Sequence, residues 1–171
     1  MHSISMLRGS VFGLLLAVLL YLGTKVVYWL VWRQHLHADH FPGGKFALLS
    51  SAIMGVVVHE CLHFVAARIV TRGMPVSVSM GFRLSRLLPY VKIAGVMSVW
   101  QYRVVAATPF IVLGLLPAAA ALLAASPAVS LFSALMMALA ASDLLVLIAM
   151  RSLSSHDLVE DDPERIGCKR A

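Results

Sequence analysis

The sequence predicts an all-α membrane protein of about four transmembrane helices, with a small interfacial β-hairpin between the second helix and the third. Of its 171 residues, 60% are hydrophobic and 13% are charged, about half of the charged fraction that is usual in soluble domains. Four apolar stretches are each long enough to cross a bilayer, which takes about 20 residues. A chain of this length has room for one compact bundle, so we expect a single integral-membrane domain over residues 1–171.

The four predicted spans cover residues 11–32, 46–70, 104–125 and 128–150. The first span follows a short basic stretch, as the apolar region of a secretory signal peptide also would. We interpret it as a retained helix because no small-residue cleavage pattern follows it and apolar residues resume after Lys25. Trp29 and Trp32 lie where an interfacial aromatic belt is expected. Pro42 and the two glycines after it mark a turn before the second span.

Residues 75–100 carry a β-strand pattern. Apolar residues alternate with small polar residues and glycine over 76–81, and β-branched residues return over 91–99. This pattern predicts a β-hairpin that turns near residues 85–89. Because open strand edges are not stable in lipid, the hairpin should lie at the membrane interface or against the helices.

Basic residues collect on one side of the predicted membrane. With four spans, both termini and the hairpin share a side, whereas the opposite loop offers only Arg33 and Lys45. The shared side holds Arg8, Arg68, Arg72, Arg83, Arg86, Lys92, Arg103 and Arg151. The positive-inside rule therefore predicts cytoplasmic termini and a cytoplasmic tail over residues 151–171, with the cell membrane as the expected location.

The formal net charge of +6 does not indicate a nucleic-acid partner. The basic residues are scattered along loops, without aromatic interleaving or a recognition motif. Their distribution fits an anionic lipid leaflet instead, so the lipid bilayer is the expected surface partner.

The second span contains an HExxH motif, His59-Glu60-Cys61-Leu62-His63. On a helix the two histidines share one face and can hold one zinc ion, while the glutamate between them can act as a general base on water. Of the eight acidic residues, only Glu60 and Asp143 lie within predicted spans. A carboxylate in hydrocarbon is costly, so each of the two should have a partner or a function.

The depths of His63 and Asp143 match. His63 lies seven residues before the end of its span at Val70, and Asp143 lies seven residues before the end of its span at Met150. At about 1.5 Å per residue, both lie about 10 Å below the cytoplasmic boundary. Asp143 is therefore predicted as a third ligand, which leaves the fourth position open as catalytic zinc requires. Two imidazoles and one carboxylate suit zinc well.

Other interpretations stay open from the residues alone. His59 and His63 would also fit as polar residues bonded across helices, with Asp143 paired to Arg68 or Lys25. A divalent-cation transporter needs histidine and aspartate at mid-depth too. A catalytically inactive membrane adaptor would keep the site as a structural metal centre.

Several further residues are weaker candidates. His35, His37 and His40 lie in the first loop, on the opposite side of the predicted membrane, where solvated histidines are the simpler interpretation. Cys61 lies two residues from each histidine of the motif and so on another face of its helix. Prolines and glycine at 109, 114 and 117 would bend the third helix. Three aromatic residues are expected to anchor the hairpin at the interface: Tyr90, Trp100 and Tyr102.

From about Gly55 onward the chain resembles the zincin peptidase family, small multi-pass membrane proteins long known only as a domain of unknown function. The matching motifs are HECLH at 59–63, TPF at 108–110, ASDLL at 141–145 and HDLVEDDPERIGC in the tail. The resemblance implies zinc bound by His59, His63 and Asp143, with Glu60 as the general base.

The arrangement is also similar to site-2 intramembrane proteases, which pair HExxH with a distant aspartate. Here Asp143 is followed by leucine rather than by the glycine of their signature, and the chain contains no asparagine. An oxyanion donor of that type is therefore absent, and the oxyanion stabiliser is unassigned. We expect a membrane-embedded zinc metalloprotease that hydrolyses a bond in a peptide or membrane-protein substrate near the cytoplasmic leaflet, with the hairpin offering an edge for an added strand.

Overall fold

The computed structural model of the protein describes residues 2–4, 6–37, 40–83, 88–161 and 166–170. Its helices are α1 (Met6–Trp32), α2 (Gly44–Val70), α3 (Val99–Pro109), a π-helical segment (Phe110–Leu115), α4 (Leu116–Leu123), α5 (Pro127–Leu139) and α6 (Ala141–Ala149). Its strands are β1 (His2–Ile4), β2 (Ser77–Arg83), β3 (Leu88–Ala94), β4 (Met97–Ser98), β5 (Leu158–Asp161) and β6 (Ile166–Arg170).

Within the described residues, three helical stretches are long and apolar enough to cross a membrane. They are Ser10–Trp32, Gly44–Val70 and Val99–Leu123. The pair α5 and α6 makes a fourth candidate span that bends by 46° at Ala140. The fold is thus the predicted helical membrane fold with a small hairpin, and it fits a multi-pass membrane protein.

The third span begins earlier than predicted, at Val99 rather than at residue 104. Its start is fixed by Gln101, whose side-chain oxygen accepts the N–H of Ser98 at 2.9 Å. The amide nitrogen of the same side chain donates to the Val70 carbonyl at 2.6 Å. Gln101 therefore caps the beginning of α3 and the end of α2 together, which satisfies backbone groups that helix ends leave unpaired.

The predicted hairpin is present as the antiparallel pair β2–β3, with Val78 opposite Ile93 and Met80 opposite Val91. Val78 and Ile93 are buried against α2, whereas Met80, in the same alternating set of apolar residues as Val78, is exposed. The predicted turn near 85–89 falls partly on residues 84–87, which lie outside the described residues. Pro89 lies inside β3, so the second strand begins earlier than expected.

The tail folds into a second sheet that the sequence analysis did not anticipate. In the described part of the chain this antiparallel sheet has the order β1-β6-β5-β4, so both ends of the protein contribute strands. The segment 96–99, which we assigned to the hairpin, instead supplies β4 and pairs with the tail. Arg103 donates to the carbonyls of Met150 and Leu153 at 2.7 and 3.0 Å, which ends the last helix and directs the tail back along the bundle.

Small residues let α2 and the third span pack closely on α5. A Cβ at Gly55 would lie 2.5 Å from the Met136 sulfur, and a Cβ at Gly114 would lie 2.7 Å from Met137 Cγ. Such close approach is typical of helix packing in membranes. Gly55 lies one helical turn before His59, so this contact holds the HExxH turn of α2 beside the bend between α5 and α6.

Candidate metal centre

The two histidines of the HExxH motif lie on one face of α2, as their spacing predicts. Their Nε2 atoms are 3.1 Å apart. Asp143, in the first turn of α6, places its Oδ2 atom 3.0 Å from Nε2 of His59 and 3.5 Å from Nε2 of His63. The structure therefore brings the three predicted ligands into one cluster.

The geometry of this cluster fits a tetrahedral metal ion. Zinc holds nitrogen and oxygen ligands at about 2.0–2.2 Å, which places ligand atoms of a tetrahedron about 3.3–3.5 Å apart. The three observed separations lie at or slightly below this range. Asp143 Oδ2 is buried, and among the described residues it has no partner with hydrogen-bond geometry. A metal ion held by the two imidazoles would offset the loss of solvation of this carboxylate oxygen.

The orientation of His63 is fixed by a bond on the other side of its ring. Nδ1 of His63 lies 2.9 Å from the carbonyl oxygen of Val105 in α3. A carbonyl can only accept, so Nδ1 carries the proton, and in the neutral imidazole Nε2 presents its lone pair to the cluster. Metal-binding histidines are commonly oriented in this way by a backbone carbonyl.

Glu60 is outside the ligand cluster, but it lines a cavity that His63 and Asp143 also line. The volume of this cavity is about 220 Å³. The backbone N–H of Val91 in β3 faces the Glu60 carboxylate. Apart from Glu60, the polar lining includes His63, Asp143 and Tyr102. The apolar lining is formed by Val91, Ile93, Val105, Ala106 and Val146. The cavity thus places a candidate base beside the cluster, in surroundings that are mostly apolar.

The other charged and metal-binding candidates lie elsewhere. Among the described residues, the Asp143 carboxylate lies against the Nε2 atoms of the two histidines of the motif rather than against Arg68 or Lys25. The ammonium of Lys25 lies 5.4 Å from the centre of the Tyr21 ring. Cys61 is a free, exposed cysteine. The three first-loop histidines contact each other ring to ring, beside Trp29 at the end of α1.

Tyr102 is the site residue that sequence reasoning misplaced. We assigned it to interfacial anchoring together with Tyr90 and Trp100, which are indeed exposed. Tyr102 instead lines the cavity, one helical turn before Val105. Its position three residues before Val105 on one helix could be recognised only once α3 was known to start at Val99.

Comparison with known proteins agrees with the motifs. A family model described as "Putative zincin peptidase" matches residues 52–157, well over half of the chain, and spans the HExxH motif, the hairpin and Asp143. Searches of curated proteins and of solved structures returned no match, so the similarity to site-2 proteases stays a prediction. On the family match, the chain belongs to the zincin peptidase family.

Proposed function

We propose that the protein is a membrane-embedded zinc metalloprotease that hydrolyses a bond in a peptide or membrane-protein substrate near the cytoplasmic leaflet. The observation that carries this proposal is the cluster of His59, His63 and Asp143, because two of its members, His63 and Asp143, line one cavity together with Glu60. The family match supports a metallopeptidase at the coarse level. The side of the membrane rests on the distribution of basic residues.

The residues divide the chemistry between them. A zinc ion held by His59, His63 and Asp143 would act as a Lewis acid. It would polarise the scissile carbonyl and make water a better nucleophile. Glu60 accepts the proton of the attacking water and then delivers it to the leaving nitrogen as the C–N bond breaks. The N–H of Val91 holds the carboxylate in place for both transfers.

The test is a search for cleavage products. Purified protein in detergent is incubated with a peptide library, and products are identified by mass spectrometry. New termini that appear with wild-type protein and disappear with a chelator support the proposal. Absence of products from zinc-loaded protein, both with the library and with membrane-protein substrates in vesicles, contradicts it.

The edge of β3 beside the cavity is the place that we propose for a substrate strand. The N–H of Val91 is directed at Glu60 and hence away from β2, and in an antiparallel strand alternate residues direct their N–H to the same edge. Ile93 therefore offers its N–H on the edge beside the cavity. The backbone nitrogen of Pro89 is directed to the same edge as those of Val91 and Ile93. A proline is tolerated there because no hydrogen bond to β2 is lost. The edge to which we assign the substrate is that of β3.

Ile93→Pro is expected to raise the KM of a cleaved peptide about tenfold, because it removes one main-chain hydrogen bond to an added strand. The matched control is Val78→Pro. Val78 lies directly opposite Ile93 and both side chains are 9% exposed, so the packing loss is comparable while the β3 edge stays intact. Steady-state kinetics of both variants make the comparison. Equal KM values in wild type and Ile93→Pro, with the fold retained, would sink the added-strand proposal.

Tyr102→Phe is expected to lower kcat about 100-fold, with KM and zinc content nearly unchanged. Tyr102 lines the cavity, and its hydroxyl is the group to which we assign stabilisation of the oxyanion, a role worth about two to three orders of magnitude. Tyr90→Phe, which changes an exposed tyrosine of β3, is the control. If kcat were the same in both variants, the oxyanion would have to be stabilised by another group.

A further inference from the structure

The Val105 carbonyl, which orients His63, lies at an unusual point of α3. In an α-helix the carbonyl of each residue accepts the N–H four residues later. The residue four positions after Val105 is Pro109, which has no N–H to give. The regular helical donor for this carbonyl is therefore missing from the sequence itself.

Two neighbouring donors in the same stretch of helix have other partners. The hydroxyl of Thr108 donates to the carbonyl of Val104 at 2.7 Å. The N–H of Phe110 donates to the carbonyl of Ala107. From Phe110 to Leu115 the helix is π-helical, a local widening often found at functional sites. The Val105 carbonyl instead accepts a hydrogen bond from the imidazole N–H of His63, which reaches it from α2 at 2.9 Å.

We propose that Pro109 is a positioning residue for the metal centre: it withholds the helical N–H from the Val105 carbonyl and so reserves that carbonyl for Nδ1 of His63. The bond fixes the His63 tautomer with the proton on Nδ1. The Nε2 lone pair then faces the cluster that His63 forms with His59 and Asp143. The expected effect on metal binding rests on the proposed function, whereas the position of the proton on His63 does not depend on that function. Proline within a helix is otherwise destabilising, and here it gains a role that alanine cannot fill.

The first test is zinc affinity. Pro109→Ala restores an N–H at position 109 and is expected to weaken zinc binding about tenfold in chelator competition, the lower end of what supporting residues of metal ligands contribute. Pro117→Ala is the matched control, because the residue four positions before it is Leu113, which is no part of the metal centre. Its zinc affinity should equal that of wild type. If Pro109 served only the fold, its variant would unfold at lower temperature with its affinity unchanged.

The second test reads the tautomer directly in metal-free protein. Nitrogen-15 NMR of the histidine side chains, with His63 assigned by comparison with His63→Gln, should show the proton on Nδ1 in wild type and a mixture of tautomers in Pro109→Ala. A wild-type His63 protonated on Nε2 would overturn the proposal, whether or not the variant folds. So would a variant that matches wild type in both tautomer and affinity. Wild type without zinc affinity but with the Nδ1 proton would refute the proposed function and leave the positioning role standing.

Discussion

Glu60→Gln is expected to abolish peptide-bond hydrolysis while the protein keeps its zinc. Glutamine preserves the size of the side chain and its place in the cavity, but its amide cannot take a proton from water. General acid–base catalysis contributes about 10²–10⁴-fold to rates, so kcat should fall by at least two orders of magnitude. Zinc content should stay near one ion per chain because Glu60 is outside the ligand cluster.

Both quantities are measured on one preparation, cleavage by mass spectrometry and zinc by plasma emission. The control is Glu160→Gln, which removes the same charge from an exposed position in β5. Cleavage at the wild-type rate by Glu60→Gln would rule out its role as the base. Zinc transport into vesicles that survives Glu60→Gln, without cleavage by wild type, would favour the transporter. Loss of folding in His59→Ala, with function intact in Glu60→Gln, would favour the adaptor.

Asp143→Ala is expected to lose zinc almost completely. Asp143 supplies the anionic ligand and closes the cluster from α6, so its removal leaves two imidazoles one helical turn apart on α2. The affinity should fall by more than the 10–100-fold that loss of a supporting residue typically costs. Zinc per chain in purified wild type and variant, before and after zinc is added back, is the measurement.

Asp143→Asn separates charge from shape. It keeps the volume and one carbonyl oxygen but removes the negative charge, so its affinity should fall between wild type and Asp143→Ala. If Asp143→Ala held one zinc as tightly as wild type, the ion would have to be elsewhere. A wild type that stays free of zinc after reconstitution would make His59, His63 and Asp143 a polar contact between helices.

The sequence located the candidate cluster because each step used a short-range rule. The i, i+4 spacing placed His59 and His63 on one face, and counting residues back from the span ends put Asp143 at the same depth. That count remained valid although the last span is broken, since the break at Ala140 comes before Asp143 and the count began at Met150. The metal-ligand roles themselves, the single domain and the cytoplasmic side stay predictions.

The sequence did not indicate the sheet of the tail, because that sheet depends on pairing between distant parts of the chain. The strands of the tail are short, and their partners β1 and β4 lie far away in the chain. The bend at Ala140 has no proline or glycine beside it, so the sequence carries no signal of a break there. The hydrogen bond between His63 and Val105 could not be predicted without the start of α3. The β-branched residues over 91–99 had assigned that region to a strand.

The sheet shared by the two ends of the chain has a consequence for the number of membrane crossings. A hydrogen-bonded sheet cannot be divided by lipid, so β1, β4 and β6 lie on one side. Two spans separate β1 from β4, and one span, ending at Leu123, leaves from β4. If each of these candidate spans crosses the membrane, the chain must cross once more to reach β5 and β6, and we expect the bent pair α5–α6 to be that crossing. Reporter tags at the two ends should therefore report the same compartment.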